Sequence, residues 1–330
     1  MDVKVLCQQL AKEIRQAVRP HLGRLEARAL MGIGAGGDST FAIDEVAERI
    51  LEDRLKDHPD LAYFSEDRGL QGSSQPKTVL MVDPIDGTRP AAAGLEACCV
   101  SVAAAHYNSD GKRTPRMGDV FFGYLCEIKG DAEFYATRGK GARAVLDGVE
   151  RVVDLRRMQG AGEEPVPLSR LFWTIGFRGR PAVPLVVTLE ELIDISSVDG
   201  GLFDLGSATY CITRLLTGQL DAYVDAGDLM VREVPAVREE FLKVGHGHVL
   251  NNSCYDLAAA ALIAREAGVV VSDAAGGDLN SYALMDRGKA VQLSCVCSTS
   301  QALQDEILAS IERGLQKLRR RYGRKGRDTR

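Results

Sequence analysis

The sequence predicts an α/β or layered α+β fold, and three observations favour this class. Amphipathic helical spacing opens the chain, with Val3, Cys7, Leu10, Ile14 and Val18 on one face. Fully apolar runs of strand length follow, and Ala-rich helical segments then alternate with further strands through the 330 residues. Because helices and strands interleave and no internal repeat is present, a solenoid and an all-β fold are excluded.

The first half of the chain is predicted to hold two helices and several strands. Its elements are, in order, a helix at about 3–19, a Gly-rich stretch at 31–37, a helix at about 43–57, strands at 61–64 and 78–82, an Ala-rich segment, and strands near 120–126 and 132–137.

The second half repeats the alternation of strand and helix. Its elements are, in order, a strand at 171–175, a helix at about 206–216, a strand at 220–224, a helix at 257–267, a strand at 269–271 and a last helix at about 300–318. We predict an N-terminal α+β lobe at 1–170, a C-terminal α/β lobe at 171–312 and a basic, flexible tail at 313–330.

Charge is distributed unevenly along the chain. Residues 313–330 contain nine basic residues and one acidic residue, which leaves about −13 on the rest of a chain whose net charge is −5. An acidic body argues against a nucleic-acid-binding protein, whose basic surface should belong to the fold. The basic tail is interpreted as solvated and frayed, with weak attraction to acidic partners as the alternative.

Three features bear on location. The N-terminus lacks the basic region, apolar core and cleavage site of an export signal. The nearest candidate membrane span, at 90–107, is interrupted by Glu96 and His106, so no membrane association is expected. The eight cysteines form no paired C-x-x-C knuckles and lie mostly in apolar segments, so we predict reduced core cysteines in a cytoplasmic protein.

The most informative segment is Asp-Pro-Ile-Asp-Gly-Thr at 83–88, directly after an apolar strand. Pro84 restricts the backbone, so Asp83 and Asp86 should leave the strand end in one rigid geometry. Gly87 permits close approach of a ligand, and carboxylate oxygens are the ligands that hard divalent cations prefer. The alternative is an ordinary corner between a strand and a turn.

Two other acidic segments flank this one in the sequence. Glu66 and Asp67 follow a strand upstream, and Asp256 opens an Ala-rich helix downstream. Taken singly, acids after a strand are usually solvated, and an Asp at a helix start is a common N-cap. The order of the three acidic segments along the chain is more informative than any one of them alone.

In that order the three acidic segments resemble those of the inositol monophosphatase family, within the superfamily that includes fructose-1,6-bisphosphatase and the phosphoadenosine phosphatases. Residues 83–88 match the family signature letter for letter, 65–67 resemble its Gly-Glu-Glu element, and 255–260 resemble its Trp-Asp-x-Ala-Ala-Gly element. Residues 31–44 look like archaeal-type members with combined inositol and fructose phosphatase activity. The resemblance covers nearly the whole chain and implies an α/β/α/β/α sandwich.

The resemblance also implies a site for two, and up to three, Mg²⁺ ions. Glu66, Asp83 and the carbonyl oxygen of Ile85 would hold one ion. Asp83, Asp86 and Asp256 would hold a second, with Asp83 bridging the two. Without cations, four converging carboxylates would repel one another strongly.

Catalytic and phosphate-binding roles follow from the same resemblance. Asp44 and Thr88 match the carboxylate and hydroxyl that orient and help to deprotonate the attacking water. Backbone N–H groups near Gly87 and Thr88 would receive phosphate oxygens. Asp86 and Asp256 would also lie against the substrate.

The alcohol side of the substrate is expected to meet a second set of residues. Gly206, Ser207 and Ala208 match the family's hydroxyl-contacting element. Asp225 stands where many relatives have Glu and would accept a sugar or inositol hydroxyl, the alternative being a solvated acid at a strand end.

Several residues depart from the family pattern or lie beside it. Arg89 puts a cation beside the phosphate pocket, which would strengthen phosphate binding or change selectivity. Arg178 and Arg180 either bind a distal phosphate, which would favour a bisphosphate substrate, or form an ordinary basic loop. The segment between Asp225 and Tyr255 is longer than in the family, beside the expected alcohol pocket.

The leading hypothesis is a Mg²⁺-dependent phosphomonoesterase for inositol monophosphate or a related sugar phosphate. A second hypothesis keeps the same metal site but has fructose 1,6-bisphosphate or 3′-phosphoadenosine 5′-phosphate as the substrate. A third is a catalytically silent relative that binds a phosphorylated ligand or a partner. The resemblance also suggests a homodimer, since such relatives are commonly dimers.

Overall fold

The computed structural model describes residues 2–35, 37–107, 114–158 and 166–325. The helices are Val3–Val18 (α1), Ala42–Leu55 (α2), Thr88–Ala93 (α3), Leu155–Met158 (α4), Ala182–Ile195 (α5), Ala208–Leu216 (α6), Gly227–Glu233 (α7), Arg238–Val244 (α8), Cys254–Glu266 (α9) and Gln301–Lys325 (α10). The strands are Leu30–Ile33 (β1), Ser39–Phe41 (β2), Leu61–Ser65 (β3), Gly69–Gly72 (β4), Thr78–Asp86 (β5), Cys99–His106 (β6), Val120–Glu127 (β7), Glu133–Thr137 (β8), Ala142–Leu146 (β9), Val149–Val153 (β10), Phe172–Ile175 (β11), Gly201–Phe203 (β12), Ala222–Asp225 (β13), Val270–Ser272 (β14), Met285–Asp286 (β15), Lys289–Ala290 (β16) and Cys295–Ser298 (β17).

Two large sheets organise the molecule. The first has eight strands in the order β10-β9-β8-β7-β6-β5-β3-β4, and the second has five in the order β12-β11-β13-β17-β14. The β3–β5 pair is parallel and the rest of the first sheet is antiparallel. In the second sheet β11 pairs in parallel with both neighbours.

Helices and sheets form five layers with three apolar cores between them. Helices α1 and α2 cover one face of the eight-stranded sheet, α6 and α9 lie between the two sheets, and α5 and α10 cover the outer face of the five-stranded sheet. The predicted α/β/α/β/α sandwich is therefore confirmed. Helix α9 is buried almost all round, which explains its small Ala-rich side chains. A Cβ at Gly123 of β7 would meet the backbone of Ala259 at 2.9 Å, so this glycine lets α9 approach the sheet.

The main differences from the sequence-based elements lie at the site and in the second lobe. Strand β5 continues through Asp86 instead of ending at position 82. The apolar segment Ala182–Ile195 forms α5, and the long segment after Asp225 forms α7 and α8. The division near residue 170 stays a prediction, because α9 of the second half packs on the sheet of the first.

The largest difference between the predicted and the observed structure lies in the C-terminal segment from residue 313. Helix α10 runs to Lys325, and Leu315, Leu318 and Tyr322 on one of its faces are buried against the five-stranded sheet's outer layer. The prediction of a flexible segment was therefore wrong for residues 313–325. The high content of basic residues suggested a solvated tail, but apolar residues at helical spacing between them form a buried face. Residues 326–330 lie outside the described part of the chain.

The described helices include none that is both long enough and apolar enough to cross a bilayer. All eight cysteines are free and buried, as their apolar surroundings predict.

Candidate active site

The end of β5 presents two carboxylates through an irregular strand. One extra residue in β5 opposite β6 between Asp83 and Asp86 makes a bulge, which redirects the side chains there. The Ile85 N–H donates to Asp83 Oδ1 at 3.0 Å and holds this carboxylate in place. Gly87 follows with φ +90°, and a Cβ there would meet the Ala97 carbonyl oxygen at 2.3 Å, so the turn into α3 requires glycine.

A third carboxylate reaches the same point from α9. Asp256 lies in the first turn of this helix, where the Ser253 N–H donates to it and the helix N-terminus favours a negative charge. Carboxylate oxygens of Asp83, Asp86 and Asp256 all lie within 4.8 Å of one another, and all three residues are buried. An all-oxygen set of this kind could hold a hard divalent cation.

Glu66 joins these three residues in lining one cleft. Burial, and then the neighbouring carboxylates, raise the pKa of Asp83 well above its ordinary value, and burial does the same to Glu66 although the Arg178 charge opposes it. Burial also raises the pKa of Asp256 to about 7. These carboxyls therefore resist ionising together, and a bound cation would favour their charged forms.

The turn that carries Glu66 is held by Glu48, a residue for which the sequence analysis predicts no role. Buried Glu48 on α2 accepts hydrogen bonds from Ser65 Oγ at 3.0 Å and from the Asp67 N–H at 3.3 Å, one residue on each side of Glu66. Glu48 lies four residues after Asp44 on the same helix face, a spacing that could have indicated it.

Asp44 and Thr88 are brought together beside the cleft. Asp44 accepts from the Phe41 N–H at 2.8 Å at the start of α2 and hydrogen-bonds to the Thr88 side chain. Burial raises the pKa of Asp44 to about 7. Thr88 Oγ1 also donates to the Ile85 carbonyl oxygen at 3.1 Å.

The start of α6 holds Asp86. Ser207 Oγ donates to Asp86 Oδ2 at 2.8 Å, and Thr209 donates to the same oxygen from its N–H, at 2.6 Å, and from its hydroxyl. Gly206, Ser207 and Ala208 line the cleft, and the Ser207 hydroxyl donates to the Asp86 carboxylate. The sequence analysis did not predict the contact of Thr209, the residue directly after Ala208, with Asp86.

Asp225 departs from its predicted place. It is fully buried, does not line the cleft, and forms an ion pair with Arg180, whose Nε lies 3.2 Å from Asp225 Oδ1. The Gly227 N–H also donates to it, at 2.9 Å. The expected contact between Asp225 and a substrate hydroxyl is therefore replaced by a structural pairing, because the neighbouring arginine takes up the carboxylate.

Residues from both halves of the chain line the cleft. A sequence model described as the inositol monophosphatase family matches residues 3–316. This chain belongs to the inositol monophosphatase family. It is a family of metal-dependent phosphatases that act on small phosphorylated substrates, which agrees with the buried acidic cluster.

Two archaeal relatives illustrate the range of the inositol monophosphatase family. The chain is 24% identical over 316 residues to a fructose-1,6-bisphosphatase/inositol-1-monophosphatase of Methanothermobacter thermautotrophicus, covering 92% of this chain and 94% of the relative. It is 22% identical over 306 residues to a bifunctional NADP phosphatase/NAD kinase of Methanococcus maripaludis, covering 90% of this chain but 47% of that protein. This chain thus spans about half the length of the bifunctional relative.

Solved structures of the family share the fold. An inositol monophosphatase–fructose 1,6-bisphosphatase superposes with a TM-score of 0.68 at 21% identity, covering 94% of this chain and all of that one. The inositol monophosphatase of Thermotoga maritima gives 0.65 at 19% identity, covering 96% of this chain and 99% of the other.

Proposed function

We propose that this family member is a Mg²⁺-dependent phosphomonoesterase that hydrolyses inositol monophosphate or a related sugar phosphate. The observation that carries the proposal is the meeting of Asp83, Asp86 and Asp256 within 4.8 Å, in a cleft that Glu66 also lines. The intact set argues against a catalytically silent relative, since binding of a partner would not require it.

The donor set fits Mg²⁺. Glu66, Asp83 and the Ile85 carbonyl would hold one ion, and Asp83, Asp86 and Asp256 a second. When bound, two such ions supply charge neutralisation of the phosphate and activation of a water for in-line attack. Ser207 and Thr209 fix one oxygen of Asp86, leaving its other oxygen free to face the cleft.

Proton transfer would fall to Asp44 and Thr88. The hydroxyl of Thr88, hydrogen-bonded to Asp44, would orient the attacking water, and Asp44 would take up its proton. A pKa of about 7 suits a general base at neutral pH. The N–H groups of Gly87 and Thr88 at the turn into α3 would donate to phosphate oxygens as negative charge develops on them.

The test is hydrolysis of p-nitrophenyl phosphate by the purified chain, with Mg²⁺ added or chelated. We expect turnover that requires Mg²⁺. Inositol 1-phosphate, fructose 1,6-bisphosphate, 3′-phosphoadenosine 5′-phosphate and NADP then distinguish the substrates. Turnover that is absent, or equal in chelator, would refute the proposal.

Location and assembly are parts of the same proposal. Eight free, buried cysteines support a reducing, cytoplasmic location. A homodimer is supported by Phe172 and Phe203, which stack at 6.2 Å between centroids and stay partly exposed at the β12 edge of the five-stranded sheet. Sedimentation of the purified chain measures its mass directly.

A further inference from the structure

The alcohol side of the cleft lacks the carboxylate that was expected to accept a substrate hydroxyl. Asp225 does not line the cleft and is paired with Arg180, and the Ser207 hydroxyl donates to Asp86 at 2.8 Å. Both groups are therefore occupied inside the protein. The hydroxyls of a substrate alcohol must find their hydrogen-bond partners elsewhere in the cleft.

The arginines of the cleft do not supply those partners. Arg180 faces Asp225, and Arg89 and Arg178 both pair with the Asp38 carboxylate. Guanidinium groups only donate hydrogen bonds, whereas a hydroxyl that donates its proton needs an acceptor. The acceptor for such a hydroxyl is therefore a carboxylate or an amide oxygen.

Asp204 is a cleft carboxylate with one oxygen left over. It lies in the connection between β12 and α6, is exposed, and accepts from the Gly206 N–H at 3.2 Å through Oδ1. Among the described residues, no hydrogen bond reaches Asp204 Oδ2. The turn thus fixes this carboxylate and leaves one oxygen available to a ligand.

The segment that carries Asp204 packs directly on the turn proposed to hold the phosphate. A Cβ at Gly206, where φ is +75°, would lie 3.0 Å from Pro90 Cγ, and a Cβ at Gly87 would lie 2.9 Å from Ser207 Cβ. These close approaches set the wall that bears Asp204 beside the N–H groups at the start of α3. A hydroxyl one carbon away from the phosphate ester is thereby brought to this wall.

Two other residues of the cleft suit the same alcohol. Asn252 Nδ2 donates to the Tyr223 hydroxyl at 2.6 Å, which holds the amide and leaves Asn252 Oδ1 as a second acceptor. The Phe177 ring is 49% exposed and offers an apolar surface. Acceptor oxygens and an apolar ring match the hydroxyls and C–H groups of an uncharged polyol.

We propose that Asp204 determines specificity for the alcohol by accepting a hydroxyl next to the phosphate ester. The substrate class is then a phosphate monoester of an uncharged polyol with a hydroxyl on the neighbouring carbon. This inference rests on the proposed function and names the residue that recognises its alcohol. A carboxylate suits this role because its hydrogen bond to a hydroxyl is charge-assisted and therefore strong.

The test compares glycerol 2-phosphate with isopropyl phosphate, two esters of the same carbon skeleton that differ only in the hydroxyls on the neighbouring carbons. The measured quantity is the ratio of their kcat/KM values with Mg²⁺ present. We expect the wild-type chain to prefer glycerol 2-phosphate by about 10-fold or more, because a site built to bind a hydroxyl rejects the analogue that lacks it.

Two variants and a control test the assignment. Asp204→Asn keeps the acceptor for the Gly206 N–H but loses the charge, and should lower the ratio about 5-fold. Asp204→Ala removes both oxygens and should lower the ratio about 10-fold or more. Asp199→Asn, at an exposed acid outside the cleft, is the matched control and should leave the ratio unchanged.

Two results would overturn the assignment. The wild-type chain could turn over both esters equally, or the Asp204 variants could lower kcat/KM for both esters by the same factor, which would mean that Asp204 does not meet a hydroxyl. Loss of all p-nitrophenyl phosphate hydrolysis in the wild type would instead refute the proposed function. The affinities of the same two esters, measured from the rise in unfolding temperature, would then still test Asp204.

Discussion

At the residue scale, Asp83 is the side chain on which most of the site depends. It is buried beside Asp86 and Asp256, and its pKa is raised by burial and then by the charges of Glu66, Asp86 and Asp256. A carboxylate in that position is unfavourable without a cation, because the other three acids all act on it. Its replacement should therefore affect metal binding and stability in opposite directions.

Asp83→Asn should lower kcat/KM for p-nitrophenyl phosphate by more than about 100-fold, because the bridging ligand is lost. In chelator, at a pH high enough to ionise Asp83, the same variant should unfold at a higher temperature than the wild type, because one buried negative charge is removed. Glu306→Asn, on the exposed face of α10, is the control. Near-normal turnover would refute the bridging role.

Glu48 gives the residue scale a pH-dependent test. Burial raises its pKa to about 7, with Asp67 adding to the shift and Ser65 and Arg68 opposing it. Because the folded state holds this proton more tightly than the unfolded state, the stabilisation is complete below about pH 4.5 and is lost as pH rises through 7.

Glu48→Gln removes that titration. Between pH 4.5 and 7 in chelator, its free energy of unfolding should fall less than that of the wild type, by up to about 3 kcal/mol. Urea denaturation at several pH values measures the difference, with the exposed Glu306→Gln as control. Identical pH profiles for wild type and Glu48→Gln would contradict the assigned pKa.

The candidate site could be predicted at this scale where residue type and order carry the information. Glu66, Asp83, Asp86 and Asp256 were indicated by the resemblance, and the structure places all four in one cleft. The pairing of Asp225 with Arg180 could not be predicted, because it depends on the register of β11 beside β13.

At the element scale, helix starts position the site. The first turn of α2 carries Asp44, and the first turn of α9 carries Asp256. The start of α6 donates hydrogen bonds to Asp86. Sequence patterns predict that such helices exist, but the predicted first residue can differ from the observed one by a few positions. Helix α9, for example, begins three residues before the predicted position 257. The hydrogen bonds of those first turns are therefore visible only in the structure.

Thr209→Val tests the support that α6 gives to Asp86. The variant keeps the side-chain shape but loses the hydroxyl that donates to Asp86 Oδ2. The Mg²⁺ concentration for half-maximal activity should rise about 10-fold or more, as expected for loss of a partner that orients a ligand. Calorimetric Mg²⁺ titration gives the independent measurement, and unchanged affinity would contradict this role.

Helix α10 supplies a stability test. Leu318→Ala removes a fully buried side chain from a segment that sequence composition marks as a basic tail. The free energy of unfolding should fall by about 2–5 kcal/mol. Arg320→Ala on the exposed side is the matched control and should change it by less than about 0.5 kcal/mol. Equal, small effects would mean that this end of the helix does not pack.

At the scale of the whole molecule, the five layers bring distant segments to one cleft. Strand β5 lies inside the first sheet, α9 is sandwiched between the sheets, and β11 leads from the second sheet to Arg178. The layering could be predicted because family membership fixes it. The path of α7 and α8 could not be predicted, because it depends on the packing of their apolar residues, such as Leu229 and Phe241, against the outer side of the five-stranded sheet.

The most direct test of the account is a crystal structure of the chain grown with Mn²⁺ in place of Mg²⁺, with the metal located by its anomalous scattering. We predict two peaks in the cleft, one contacting Glu66 and Asp83 and the other contacting Asp83, Asp86 and Asp256. Peaks that lie elsewhere, or a cleft without any peak at saturating Mn²⁺, would contradict the central claim.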